Sequence, residues 1–130
     1  MPNRFPANDV SQYHRVSPGM ASFAVVVIAV TLLYGTLSPK PDAGSEVLLF
    51  PHVDKVLHFL GWFALGLAAA LISRTAYWHI FGWGACTVFG LFTECGQIFV
   101  VGRHFEVLDC LADSFGSAVG FMTIGYDREA

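Results

Sequence analysis

The sequence predicts an all-α, up-and-down bundle of four transmembrane helices. The 130 residues are 55% hydrophobic and only 13% charged, with a mean hydropathy of +0.57, which is far from the balance of a soluble domain. No Asp, Glu, Lys or Arg occurs between Arg15 and Lys40. Three further apolar segments follow, and each approaches the roughly 20 apolar residues that a helix needs to cross a bilayer.

The first predicted helix covers residues 19–37 and follows a polar N-terminal tail over residues 1–15 that we expect to be flexible. We interpret this helix as an uncleaved span, because its apolar stretch is long for a signal peptide and Pro39 stands where a cleavage site would be sought. Pro39 and Pro41 then end the helix, since proline lacks a backbone N–H donor. Residues 45–51 are too short to span and are expected at the membrane interface.

The other three helices are predicted at about 53–73, 76–100 and 108–126, followed by a charged C-terminal tail over 127–130. Aromatic residues near several of these ends are typical of an interfacial belt. Residues 16–126 therefore form one predicted transmembrane domain.

The basic residues divide unevenly between the two sides of this bundle. One side would carry Arg4, Arg15, Arg74 and Arg128, and the other Lys40, Lys55 and Arg103. By the positive-inside rule, we expect the N-terminus to be cytoplasmic. The formal net charge of −3, without a basic tract, argues against a nucleic-acid partner. The three cysteines have no metal-type spacing, which argues against a zinc site or a disulfide framework.

Polar residues cluster at the ends of three apolar segments. The end of one helix and the start of the next lie on the same side of an up-and-down bundle, so these residues are expected to gather at one face. They are Asp54, Lys55 and His58 in the second helix, Glu94 and Gln97 in the third, Arg103 in the link, and Asp109 and Asp113 in the fourth. Ionisable groups at membrane depth are expensive and usually mark function.

Helical geometry supports this gathering. A rise of roughly 1.5 Å per residue puts polar groups from all three helices about 6 to 10 Å inside one surface. Asp109 and Asp113 are followed on the same stripe by Gly116 and Gly120. Small residues at this spacing allow close approach between membrane helices, so the fourth helix is expected to carry both aspartates into the bundle interior.

Four sequence blocks resemble the signature of the VanZ-like family of small integral membrane proteins. They are Asp-Lys-x-x-His-Phe at 54–59, Glu-x-x-Gln at 94–97, Gly-Arg at 102–103 and Asp-x-x-x-Asp-x-x-Gly-x-x-x-Gly at 109–120. Asp113 departs from the family pattern, which more often has asparagine there. The resemblance implies an integral protein of the bacterial plasma (inner) membrane. The charge pattern suits membrane lipids or a lipid-linked or glycopeptide envelope ligand as partners. It supplies no reaction, so the sequence does not decide whether the chain is an enzyme.

Glu94 is the first candidate for a working residue, because a carboxylate two turns inside a membrane helix needs a partner or a proton. His58 titrates near neutral pH and can carry protons, or it can simply bond a neighbouring carboxylate. Asp109 and Asp113 complete the predicted catalytic set, and both can also cap the fourth helix. The predicted ligand-binding set is Asp54, Lys55, Gln97 and Arg103.

Several interpretations stay open for the remaining groups. Lys55 and Arg103 can act as interfacial anchors, as counter-ions or as ligands for an anionic headgroup. His104 and Glu106 are expected to be solvated, and His79 is expected to be incidental. A metal held by Asp54, His58, Glu94 and Asp109 is chemically possible, but the spacing matches no dedicated motif, so we predict neither metal nor cofactor.

The leading functional hypothesis is a polar pocket near one membrane face that binds or modifies an anionic lipid or an envelope-related amphipathic ligand. The alternatives are a small proton-coupled transporter, which would have to be a homo-oligomer, and a non-catalytic membrane adaptor. In the adaptor, the polar residues would only fix the register of the helices.

Overall fold

A computed structural model describes residues 16–39, 52–73 and 75–124. The predicted tails over 1–15 and 127–130, the segment over 45–51 and Arg74 lie outside the described residues. The described part contains four α-helices and no strand, which confirms the predicted all-α, four-helix class. The helices are α1 (Pro18–Leu37), α2 (Val53–Ala70), α3 (Ala76–Gln97) and α4 (Val107–Thr123).

Side-chain caps fix the starts of two helices. Ser17 precedes α1 and its Oγ accepts the Met20 N–H at 3.2 Å, while Pro18 occupies the first helical position, where its missing donor does no harm. Thr75 caps α3 in the same way, accepting the Trp78 N–H at 3.4 Å. The start of α2 differs, because His52 precedes it in a left-handed conformation with φ 69° and makes no side-chain cap bond.

Three helices end three residues earlier than predicted. The α2 helix ends at Ala70, the α3 helix at Gln97 and the α4 helix at Thr123. After α2 and α3, backbone bonds that span three residues appear, as in Ile72 N–H to Ala69 O and Phe99 N–H to Gly96 O, both at 3.1 Å. Such bonds tighten the last turn and end the α-helix although the sequence stays apolar.

The α2 and α4 helices make the most extensive contact in the bundle. Their backbones approach closely because glycines line the contact. A Cβ added at Gly116 would collide with the carbonyl oxygen of Phe59, and one at Gly120 would collide with that of Phe63. This agrees with the predicted inward glycine stripe. The close approach brings the polar residues of α2 and α4 together at one end of the bundle.

The distribution of side chains is inverted relative to a soluble protein. Many large apolar side chains are exposed, among them Phe23 on α1, Leu57 on α2, Phe92 on α3 and Met122 on α4. Charged and polar groups occupy much of the interior instead. Apolar surface of this extent marks membrane or protein interaction. By length and composition, α1 and α2 can each cross a membrane. The sequence-based count of four spans stays a prediction.

Candidate functional site

Most of the predicted site residues meet at one end of the bundle in a group that we call the polar cluster. It comprises Lys55, His58, Glu94, Gln97, Asp109 and Asp113, contributed by α2, α3 and α4. Apart from Lys55, every member is buried. Residues separated by up to 58 positions therefore form one continuous polar group inside an apolar bundle.

His58 lies at the centre of the polar cluster. Its Nδ1 is 2.8 Å from Asp113 Oδ1 and 3.9 Å from Glu94 Oε1. Its Nε2 is 4.0 Å from Asp109 Oδ2. The imidazole thus faces three carboxylates carried by two other helices. The ring can donate to one of them, share a proton with them, or release its own proton.

Trp62 packs directly against the His58 ring. It lies one turn further along α2, is fully buried, and stacks on the imidazole with ring centroids 5.8 Å apart. Its Nε1–H donates to the Cys86 carbonyl at 3.3 Å. Trp62 was not among the predicted site residues, although its position four residues after His58 places both on one helical stripe.

Glu94 is fully buried and both of its oxygens accept hydrogen bonds. Oε1 accepts from Gln97 Nε2 at 2.9 Å, and Oε2 accepts from the backbone N–H of Glu106 at 3.2 Å. Glu106 is the N-cap residue of α4, where backbone donors have no partner within the helix. Two fixed donors therefore orient the carboxylate, and Gln97 acts on Glu94 from the next turn of the same helix.

Lys55 serves as a counter-ion, one of the three roles left open by the sequence. Its Nζ lies 2.6 Å from Asp109 Oδ1 and also pairs with Glu106. Glu106 was expected to be solvated, and that expectation was wrong in part. Its side chain is half-exposed, yet it takes part in this ion pair. The sequence could have indicated this ion pair, because Glu106 lies three residues before Asp109 at the start of α4.

Asp113 is the member of the polar cluster with an unsatisfied atom. Its side chain is 1% exposed, and Oδ1 contacts His58. The other oxygen, Oδ2, is buried without a hydrogen-bond partner among the described residues. Gly90 makes room for this carboxylate, because a Cβ there would meet both Asp113 Oδ2 and Trp62 Nε1 at 3.0 Å. Gly90 was not among the predicted site residues.

Arg103 lies beside the polar cluster and binds the end of α1. Its Nε donates to Ser38 O at 3.1 Å, and its Nη2 donates to Gly35 O at 2.7 Å. A cation is favourable there, because the last carbonyls of a helix lack partners and carry its negative dipole end. These bonds use two of the five guanidinium donors. No sequence feature indicated this link to α1.

A groove of about 230 Å³ connects Arg103 with the polar cluster. It runs between α1 and α2 and is lined by Thr31, Leu32, Gly35, Thr36, Asp54, Leu57, His58, Trp62 and Arg103. Asp54, which was predicted to bind a ligand, is half-buried in this wall. His58 belongs both to the groove and to the polar cluster. A molecule in the groove would therefore contact an imidazole that is backed by carboxylates.

The second buried histidine, His79, is structurally separate. It begins the second turn of α3, and its Nε2 lies 3.2 Å from the Ile124 carbonyl at the end of α4. Its Nδ1 lies 3.2 Å from the Thr75 carbonyl. His79 thus contacts backbone oxygens at the other end of the bundle, far from the carboxylates.

These features define a four-helix bundle with an apolar exterior and a buried, carboxylate-rich polar cluster at one end. A sequence model of the VanZ/LLP1 family matches residues 3–125. The chain therefore belongs to the VanZ/LLP1 family, whose members are generally membrane-associated. No curated protein and no solved structure matches the chain.

Proposed function

We propose that this chain is an integral membrane protein that binds an amphipathic ligand with an anionic headgroup in the groove between α1 and α2. A membrane phospholipid or a lipid-linked envelope intermediate has this chemistry. The observation that carries the proposal is the groove itself, where Arg103 and His58 share one wall within an apolar bundle. Ligand sites typically combine an apolar lining with a few convergent polar groups.

Arg103 would contact the headgroup. Its planar fork suits phosphate and carboxylate oxygens, and its two bonds to α1 carbonyls hold the fork in place while leaving three donors. Lys55, the other predicted headgroup ligand, is paired with Asp109 and Glu106 and is not among the residues that line the groove. We therefore assign recognition of the anion to Arg103 alone.

The ligand's apolar portion would pack against Leu32 and Leu57 in the same groove. Leu57 is also 61% exposed on the outer face of α2, so the groove is continuous with the apolar exterior. An acyl chain can follow that surface while the headgroup reaches inward. With a cytoplasmic N-terminus, as the basic residues predict, the groove opens on the outer side of the bacterial plasma membrane.

Chemical modification of the ligand would fall to the polar cluster. His58 presents its ring to the groove and contacts Asp113, with Glu94 and Asp109 close by. Such an arrangement suits proton transfer, because the carboxylates stabilise the charged imidazole. We predict catalytic roles for four residues: Glu94, His58, Asp109 and Asp113. The ligand could bind in the groove without these roles.

The test uses short-chain phospholipids and the full chain in detergent. Dioctanoyl phosphatidylglycerol, which is anionic, should raise the melting temperature more than zwitterionic dioctanoyl phosphatidylcholine. In Arg103→Lys the charge stays but the fork is lost, and phosphatidylglycerol should bind about tenfold more weakly, as expected when one charge-assisted hydrogen bond of about 1.5 kcal/mol is lost.

The control is Lys55→Gln, which removes a cation outside the groove and should keep the preference for phosphatidylglycerol. Equal responses to both lipids in the wild-type chain would contradict the proposal. So would an Arg103→Lys protein that retains full affinity.

The predicted alternatives receive less support. A proton-coupled transporter needs polar groups along its proton path. The hydroxyl groups beyond the polar cluster are instead hydrogen-bonded to other groups within the bundle. Thr87 Oγ1 lies 3.1 Å from Ser114 Oγ, and Ser117 Oγ donates to Ser114 O at 3.0 Å. Proton flux into liposomes that disappears in Glu94→Ala would favour the transporter. Unfolding of every variant in the polar cluster would favour the adaptor.

A further inference from the structure

We propose that His58, Glu94 and Asp113 form a binding site for a divalent first-row metal ion, Zn²⁺ or Mn²⁺. One donor atom from each side chain lies within 4.8 Å of the other two. His58 Nδ1 is 2.8 Å from Asp113 Oδ1 and 3.9 Å from Glu94 Oε1. Ligands on opposite sides of an ion with bonds of about 2.1 Å lie about 4.2 Å apart, so both separations are within the reach of one ion.

Asp113 Oδ2 independently indicates a missing ligand. The side chain is 1% exposed, and this oxygen has no hydrogen-bond partner within residues 16–39, 52–73 and 75–124. An acceptor that is buried without a partner is unfavourable by about 1–3 kcal/mol, and by more when it is charged. Protein donors already satisfy both oxygens of Glu94. One of the three proposed ligands therefore carries a buried oxygen that no described donor satisfies.

A second possible set, Asp54, His58 and Asp109, shares the histidine but is less suitable. Lys55 Nζ lies 2.6 Å from Asp109 Oδ1, so an ammonium group already neutralises that carboxylate. Asp54 is also only half-buried. Among the described residues no lysine pairs with His58, Glu94 or Asp113, and their exposed fractions are 6%, 0% and 1%.

The second ring nitrogen of His58 lies on the side of a further carboxylate. If Nδ1 binds the ion, Nε2 carries the proton, and the nearest carboxylate on that side is Asp109 at 4.0 Å. Metal-binding histidines usually direct their second N–H to such a group. Two carboxylates and a neutral imidazole carry two negative charges, which a divalent ion would balance. Imidazole and carboxylate together suit Zn²⁺ and Mn²⁺.

The experiment measures metal binding by the full chain in detergent. After removal of metals with a chelator, the protein is titrated with Zn²⁺ and with Mn²⁺ by calorimetry. We expect one equivalent of at least one ion per chain. His58→Gln and Asp113→Asn should each weaken binding by more than about 100-fold, since losing a group that only hydrogen-bonds a metal ligand already weakens binding about 10- to 100-fold.

His79→Gln is the matched control, because it changes a buried histidine away from the polar cluster and should leave metal affinity unchanged. Arg103→Lys should also bind metal normally, which separates this proposal from lipid recognition. Binding of Co²⁺ adds a test that is specific to the ligand atoms, since His58→Gln must alter its visible absorption in protein that remains folded. Absence of a stoichiometric site, or equal losses in His58→Gln and His79→Gln, would overturn the proposal.

Discussion

Trp62 connects the polar cluster with the packing of the bundle. The indole is fully buried, stacks on His58 on one side, and lies 6.0 Å from the Phe89 ring on another. Because the indole stacks against the imidazole, it restricts the ring to the orientation in which Nδ1 contacts Asp113. The direction in which His58 presents its ring nitrogens, whether to a proton or to a metal ion, therefore depends on Trp62, which makes no ionic contact.

Replacing Trp62 with alanine should destabilise the protein strongly. The substitution removes a large buried side chain and leaves a cavity beneath His58, which typically lowers the free energy of unfolding by about 3–5 kcal/mol. Chemical unfolding of the full chain in detergent measures this. Trp78→Ala is the matched control, since Trp78 is 53% exposed and should matter much less. Similar losses in the two variants would show that Trp62 has no special packing role.

The sequence predicted the location of individual residues correctly where the prediction used only the spacing of residues along one helix. Asp109 and Asp113 lie inside the bundle, as the glycine stripe predicted. Partners on different helices could not be found in this way. The bonds from Arg103 to α1 span 65 and 68 positions, and the ion pair between Lys55 and Glu106 spans 51. The same limit applies to metal ligands, because motifs describe ligands that share one element.

At the scale of the helices, the contact between α2 and α4 decides whether the polar cluster forms. These two helices carry four of its members, and their backbones meet at glycines. A wider separation would move His58 away from Asp113. The sequence predicted the stripe but not the helix ends, because apolar residues continue past the point where the backbone bonds change from four-residue to three-residue spacing.

Gly120→Ala should separate α2 from α4. The added Cβ would meet the backbone of Phe63 and Leu67, which cannot rotate away, so we expect a loss of about 1–3 kcal/mol through overpacking. Thermal unfolding measures the loss. Gly84→Ala is the control, because a Cβ there meets nothing within 4 Å, and alanine favours a helix by about 1 kcal/mol over glycine. An unchanged Gly120→Ala protein would contradict the close packing.

For the whole molecule, the central feature is a polar interior inside an apolar exterior. Within the polar cluster, the buried carboxylates of Glu94, Asp109 and Asp113 face one lysine, Lys55, and one titratable imidazole, His58. Buried charges of this kind contribute little to stability, and apolar residues in their place often stabilise a fold. We therefore infer that the polar cluster is present to bind a ligand and that the bundle folds in spite of it.

The melting temperatures of Glu94→Gln and Glu94→Ala in the presence of a chelator test this claim most directly. In Glu94→Gln the amide can accept from the Glu106 N–H and donate to a reoriented Gln97, so the bonds persist while the buried charge is lost. We predict that Glu94→Gln melts at or above the wild-type temperature. Glu94→Ala should melt lower, because each buried donor left without an acceptor costs about 1–3 kcal/mol. A Glu94→Gln protein that melts as low as Glu94→Ala would show that the buried charge itself stabilises the fold, and would rule out a polar cluster that the bundle folds in spite of.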